Sequence, residues 1–314
     1  YSLCGILVFF ICKKIIKSNL YSLIAATLFS LNYGISIKML SWNLFYNHLL
    51  SCVFGFLSIL IFINLVNNKK NINYRVLYII FATFAFLISE VGLVFPILTF
   101  VIYLLFFKEN YLIKSLLISL SPLIIFVLLV FLNTGKILPL LFDRLEAGPN
   151  EVQKVLDKDN KNELYFNRST YASRNFENYL IRSFDNLLNS TNLSTLEKVA
   201  KFYDKNNKIK NLFKEYYKIF YLLITILLLF LLYFIIKQKY SDEERINLIK
   251  LSILYCICLG LFTIIFFRKD LNLALSFCSS ILISYILMML DKKKLKFLYY
   301  AIIVSFIFPS ILYF

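Results

Sequence analysis

The sequence has 314 residues, 60% hydrophobic and 18% aromatic, with 34 Lys and Arg against 18 Asp and Glu for a formal charge of +16 and a mean hydropathy of +0.74. So apolar a composition excludes an ordinary soluble domain. The positive charge would suggest nucleic acid in a soluble protein, but Lys and Arg collect here in short turns between apolar runs, so no nucleic-acid partner is expected.

In chain order, apolar runs near residues 2–17, 20–37, 44–66, 74–89, 91–107, 111–132, 216–236, 247–267, 271–290 and 296–314 predict transmembrane helices. The fold class expected is an all-α membrane protein with about ten transmembrane helices and one large outer-face loop containing amphipathic helices. Residues 1–132 form N-terminal transmembrane helices, 133–214 an extracytoplasmic loop region, and 215–314 C-terminal transmembrane helices. The chain begins with Tyr1 and ends at Phe314, both inside apolar runs, so a fragment of a longer protein is expected.

Charge sets the orientation. Lys13, Lys14 and Lys17 mark the first turn and Lys69, Lys70 and Arg75 the third. Lys108 and Lys114 mark the fifth, Lys237, Lys239, Arg245 and Lys250 the seventh, and Lys292, Lys293, Lys294 and Lys296 the ninth. The turns between them are poor in positive charge, so the basic turns are read as cytoplasmic and the long loop as extracytoplasmic, in a multi-pass protein of the plasma (inner) membrane.

The long loop holds most of the acidic residues. Phe176, Tyr179, Leu180, Phe184, Leu187 and Leu188 recur at helical spacing, which predicts an amphipathic helix over 175–188 lying along the membrane surface. Ser194-Thr195-Leu196-Glu197 is a capping-box pattern that opens a second helix. Three glycosylation sequons in the loop carry no weight in so Asn-rich a chain.

Ionisable residues at the membrane edge are costly, which makes them candidates for function. Glu90, in Ser89-Glu90-Val91-Gly92-Leu93-Val94-Phe95-Pro96, stands alone between two apolar runs. It either holds a substrate-positioning group at the outer face or simply ends a helix. Arg268 and Lys269, beside Asp270, sit on a short outer turn where positive charge is scarce, as phosphate contacts or as interfacial side chains. His48 is the only histidine; it rules out histidine-rich metal sites and is read as an interfacial side chain beside Trp42 and Tyr46. The six cysteines lie in apolar runs and imply neither a disulfide framework nor a metal site. Walker A, GxGxxG and HExxH patterns are absent.

Two stretches resemble the GT-C superfamily of polytopic glycosyltransferases, especially its protein O-mannosyltransferase-like branch. Ser89 to Pro96 is similar to that branch's S-K-E-x-x-L-V-L-P, with Glu90 and Pro96 matching and Ser89 where the family has Lys. Leu28 to Leu50 looks like the family's LFALHP…E…W…R-x-D-LL passage: Trp42, Leu49 and Leu50 match, Asn32-Tyr33 replaces His-Pro, and Tyr46 and His48 replace the Arg and the Asp. Phe267-Arg268-Lys269 resembles an outer-face E-R-Y segment, Arg268 matching the Arg.

The resemblance implies a membrane glycosyltransferase that moves a sugar from a polyprenyl-phosphate donor to a hydroxyl of a protein or glycan acceptor on the outer side. No cofactor other than that lipid-linked donor is implied. Glu90, Arg268 and Lys269 would bind substrate, and the catalytic acid, a carboxylate in the family's first outer loop, would lie upstream of Tyr1. Three other classes remain open, among them a non-catalytic membrane scaffold. An O-antigen-type polymerase or ligase would depend on loop arginines such as Arg168, Arg174 and Arg182. A transporter or flippase would carry helix breakers near the midplane and an internal repeat, of which only Pro122 and Pro309 are visible.

Overall fold

The computed structural model describes residues 1–32, 46–67, 72–107, 112–134, 183, 186–187, 241–264, 273–300 and 302–304. All regular structure among them is helical: α1 (Ser2–Ile16), α2 (Asn19–Ser30), α3 (Tyr46–Asn67), α4 (Ile72–Ile88), a 3₁₀ turn (Glu90–Leu93), α5 (Val94–Phe106), α6 (Leu112–Thr134), α7 (Asp242–Ile264) and α8 (Leu273–Lys292). Three helices are long and apolar enough to cross a membrane, Tyr46–Asn67, Asp242–Phe262 and Leu273–Lys292; four shorter ones are apolar as well. At 1.5 Å per residue the 22 residues of α3 reach about 33 Å, a full hydrocarbon thickness, whereas the 12 of α2 reach only about 18 Å. The run expected at 216–236, and most of 296–314 and of the loop, lie outside the described residues; Ser183, Asn186 and Leu187, inside the expected amphipathic helix, are helical.

The helices pack around Phe56 of α3. Its ring meets Phe29 of α2 at 5.7 Å, Phe95 of α5 at 5.2 Å and Phe277 of α8 at 5.2 Å between centroids, all edge-on or tilted, as aromatic quadrupoles prefer. Next to it, Gly55 lets Phe95 in: a Cβ there would lie 2.1 Å from the ring. A second cluster joins α3, α4 and α5 through Phe62, Tyr78 and Tyr103. Helix α8 is the most enclosed, with 89% of its apolar window buried against 33% for α7. On α7 the outward residues Ile246, Ile249, Ile253 and Ile257 form an exposed apolar stripe at helical spacing, and Ile80, Phe84 and Leu87 do the same on α4. Such stripes cost free energy in water and none in hydrocarbon, so a lipid bilayer is the environment these helices fit.

Proline inside α6 shows how the backbone is satisfied there. Pro122 has no N–H, which frees the Ile118 carbonyl one turn back, and the Ser121 hydroxyl donates to that carbonyl at 2.8 Å. The neighbouring Ser119 carbonyl accepts from the buried Tyr78 hydroxyl at 2.6 Å, tying α6 to α4.

The described turns sort by charge. Tyr21, at the start of α2, donates to Asp291 at the end of α8 at 2.6 Å. Lys292 pairs with Glu244, at the start of α7, also at 2.6 Å. Lys250 lies 5.6 Å from the ring centre of Phe106, at the end of α5. These contacts, with Lys13, Lys14 and Lys17 at the α1–α2 turn, place the basic helix ends together. Among the described residues, two tight reversals at this end use a left-handed lysine. Lys17 (φ 60) closes α1, and Lys294 (φ 57) closes α8 through Lys294 N–H to Asp291 O at 2.8 Å and Leu295 N–H to Leu290 O at 3.0 Å. Helix α7 starts there with a capping box: Glu244 N–H donates to Ser241 Oγ and Ser241 N–H to a Glu244 carboxylate oxygen, both at 3.3 Å.

A candidate site at the helix ends opposite the basic turns

The other ends of the same helices carry neutral polar groups. Helix α4 stops at Ile88 because Ser89 leaves the helical region (φ −155, ψ 141) and caps the next turn. Ser89 is a junction of hydrogen bonds. Its N–H donates to the Ala85 carbonyl at 3.3 Å, its carbonyl accepts from Gly92 N–H at 2.8 Å, and its hydroxyl accepts from Val91 N–H at 3.4 Å. The same hydroxyl shares a 2.5 Å hydrogen bond with His48 Nδ1, from the first turn of α3. One turn further along α3, the buried Ser51 hydroxyl donates to the Ala85 carbonyl at 2.6 Å. Helices α3 and α4 are therefore stitched at this end by two side-chain bonds.

Gly92 explains how closely the turn lies on α4. A Cβ at this position would sit 2.2 Å from the Ala85 carbonyl carbon and oxygen and 2.4 Å from the Phe86 nitrogen. Only a residue without a side chain lets the 3₁₀ turn fold back onto the last turn of α4.

Across the bundle a second polar contact lies at the same end. Asn32, 2% exposed, follows α2 and donates from Nδ2 to the Ser276 hydroxyl of α8 at 2.8 Å. The bond satisfies the Asn32 amide nitrogen and the Ser276 hydroxyl, which makes burying them tolerable. Tyr1 closes the end on the α1 side, its hydroxyl donating to the Phe29 carbonyl at 2.8 Å.

The structure places Glu90 as the first residue of the 3₁₀ turn, next to Ser89 and on the end away from the lysines. Arg268 and Lys269 lie outside the described residues, between the end of α7 at Ile264 and the start of α8 at Leu273. Since Glu244 and Lys292 fix the other ends of α7 and α8 together at the basic side, both flanking ends are on the Ser89 side. Among the described residues, no group of three His, Cys, Asp or Glu side chains is arranged to hold a metal ion.

The bond between His48 and Ser89 is not among the contacts expected from the sequence. His48, expected as an interfacial side chain beside Trp42 and Tyr46, lies in the first turn of α3 and is also a partner of the residue next to Glu90. A signal existed: His48 opens one apolar run and Ser89 closes the next, so in an antiparallel pair both must lie at the same depth. No protein-family model matches the chain, and no curated protein or solved structure matches it.

Proposed function

We propose that the chain is the core of a membrane glycosyltransferase that takes a sugar from a polyprenyl-phosphate carrier on the outer side of the membrane and passes it to a hydroxyl of a protein or glycan acceptor. The observation that carries the reading is the hydrogen-bonded His48–Ser89 pair, which builds a polar junction next to Glu90 at the end of the bundle away from the basic turns. The similarity of Ser89 to Pro96 to the glycosyltransferase motif falls on this junction. The gathering of Lys13, Lys14, Lys17 and Lys292 to Lys294 at the opposite end favours an extracytoplasmic site, because positive turns stay in the cytoplasm. The long loop, 133–214, is then on the site's side, in a plasma-membrane protein of about ten spans.

In this reading the acceptor oxygen attacks the anomeric carbon as the bond from that carbon to the carrier phosphate breaks, with inversion. The acceptor proton goes to a carboxylate base, and polyprenyl phosphate leaves as the anion. Glu90 positions substrate, and Arg268 and Lys269 bind the carrier phosphate, where fixed positive charge stabilises the leaving group as its charge grows. Arg268→Ala in the intact protein tests this by equilibrium binding of a polyprenyl-phosphate sugar in nanodiscs. A loss of affinity of about 10-fold or more is expected for a forked charge-assisted contact; wild-type affinity would remove Arg268 from the donor site.

A further inference from the structure

We infer that His48 is a positioning residue, whose hydrogen bond to Ser89 fixes the backbone of the turn that carries Glu90. The inference rests on the reading that Glu90 belongs to the substrate site.

The argument starts from what holds the turn. Glu90 opens a 3₁₀ segment of four residues, too short to hold its own shape, since such segments have poor hydrogen-bond geometry. Its direction is therefore set by its neighbours. On the C-terminal side, Gly92 lies against the Ala85 and Phe86 backbone. On the N-terminal side all of the control passes through Ser89, whose N–H, carbonyl and hydroxyl are each engaged. The contacts of the amide and the carbonyl are local, within a few residues. The hydroxyl alone reaches another part of the chain, 41 residues away, and its partner is His48 Nδ1.

His48 is well placed to act as a strut. It sits in the first turn of α3, a helix of 22 residues anchored by Phe56 to three other helices. The Ser51 bond to Ala85 holds α3 and α4 in register directly beneath it. The ring is half-buried and Ser89 is 7% exposed, so water competes poorly for the bond. Ser89 Oγ both caps the turn through Val91 N–H and meets the imidazole. Removing the ring frees the hydroxyl to rotate and weakens the cap with it. Positioning of this kind matters to chemistry because a displacement of about 1 Å at a reacting group costs about 100-fold in rate.

The test uses the intact protein in nanodiscs, with His48→Ala, His48→Asn, Ser89→Ala and the double variant His48→Ala/Ser89→Ala. Asparagine places a polar atom near the position of Nδ1, so it restores the bond without the ring. Two readouts are taken: kcat and KM for sugar transfer, and hydrogen–deuterium exchange of the peptide spanning Ser89 to Leu93. His48→Ala should lower kcat by about 10- to 100-fold with KM within about 2-fold of wild type, and raise exchange in that peptide. His48→Asn should recover most of both. The double variant should be no worse than either single one, as partners in one bond behave. Additive losses, or an asparagine variant that exchanges like the alanine variant, would overturn the inference. If the wild-type protein transfers no sugar while the exchange pattern holds, the glycosyltransferase reading fails and the strut stands.

Discussion

Gly92→Ala is the sharpest perturbation the fold offers. The added methyl carbon would stand 2.2 Å from both the carbon and the oxygen of the Ala85 carbonyl, more than about 1 Å inside van der Waals contact. The obstacle is backbone, so no rotamer change relieves it. Either the end of α4 or the 3₁₀ turn must move by about that distance. Overpacking of this kind costs about 1–3 kcal/mol, and more where the neighbours are rigid. The Ala85 carbonyl also accepts from Ser51 and from Ser89 N–H, so its displacement strains both bonds. At about 2–4 °C per kcal/mol, the melting midpoint in detergent should fall by about 2–12 °C. Gly260→Ala supplies the comparison: nothing lies within 4 Å of a Cβ there, and a mid-helix alanine should be neutral or stabilising by up to about 1 kcal/mol. Thermal unfolding of both variants, followed by size-exclusion chromatography after heating, reads the difference. A Gly92→Ala protein as stable as Gly260→Ala would refute the close approach of turn and helix.

Phe56→Ala should destabilise by about 3–5 kcal/mol, because a fully buried ring with three aromatic neighbours is lost. Phe10→Ala, at a position 46% exposed, should cost under about 1 kcal/mol in the same unfolding assay. Equal losses would contradict the packing order. With the six native cysteines replaced by alanine, single cysteines introduced at Lys14 and at Asn47 should label from opposite sides of sealed vesicles with an impermeant maleimide, Lys14 from the cytoplasmic side. Labelling of both from one side would break the assignment of helix ends.

The apolar runs made the helices legible. The expected runs at 2–17, 44–66, 74–89 and 271–290 correspond to α1, α3, α4 and α8 within a few residues. Even the division of one long stretch at Ser89-Glu90 was visible, since a lone acid in a hydrocarbon-length run marks a break, and the 3₁₀ turn begins there. Helix α2 departs from its run: it stops at Ser30, and Asn32 turns into a buried bond with Ser276 that spans 244 residues of sequence. No periodicity encodes that partner, because it depends on which helix packs beside α2. The His48–Ser89 junction was hidden for a related reason. A histidine near an interface looks the same in sequence whether it faces headgroups or a neighbouring helix, and only the depth match of α3 and α4 decides. The capping box at Ser241–Glu244 follows from spacing alone, a serine three residues before a glutamate ahead of an apolar run. Arg268 and Lys269 stand out in the sequence as positive charge on a short outer turn, and they lie outside the described residues.

The central claim is met most directly by transfer itself. The intact protein, reconstituted in liposomes with a radiolabelled polyprenyl-phosphate sugar and a hydroxyl-bearing peptide or glycan acceptor, is compared with its Glu90→Gln variant at equal protein. The account predicts label in the acceptor for the wild type and a loss of about 100-fold or more for the variant. No label from the wild type, or equal label from both proteins, would contradict it.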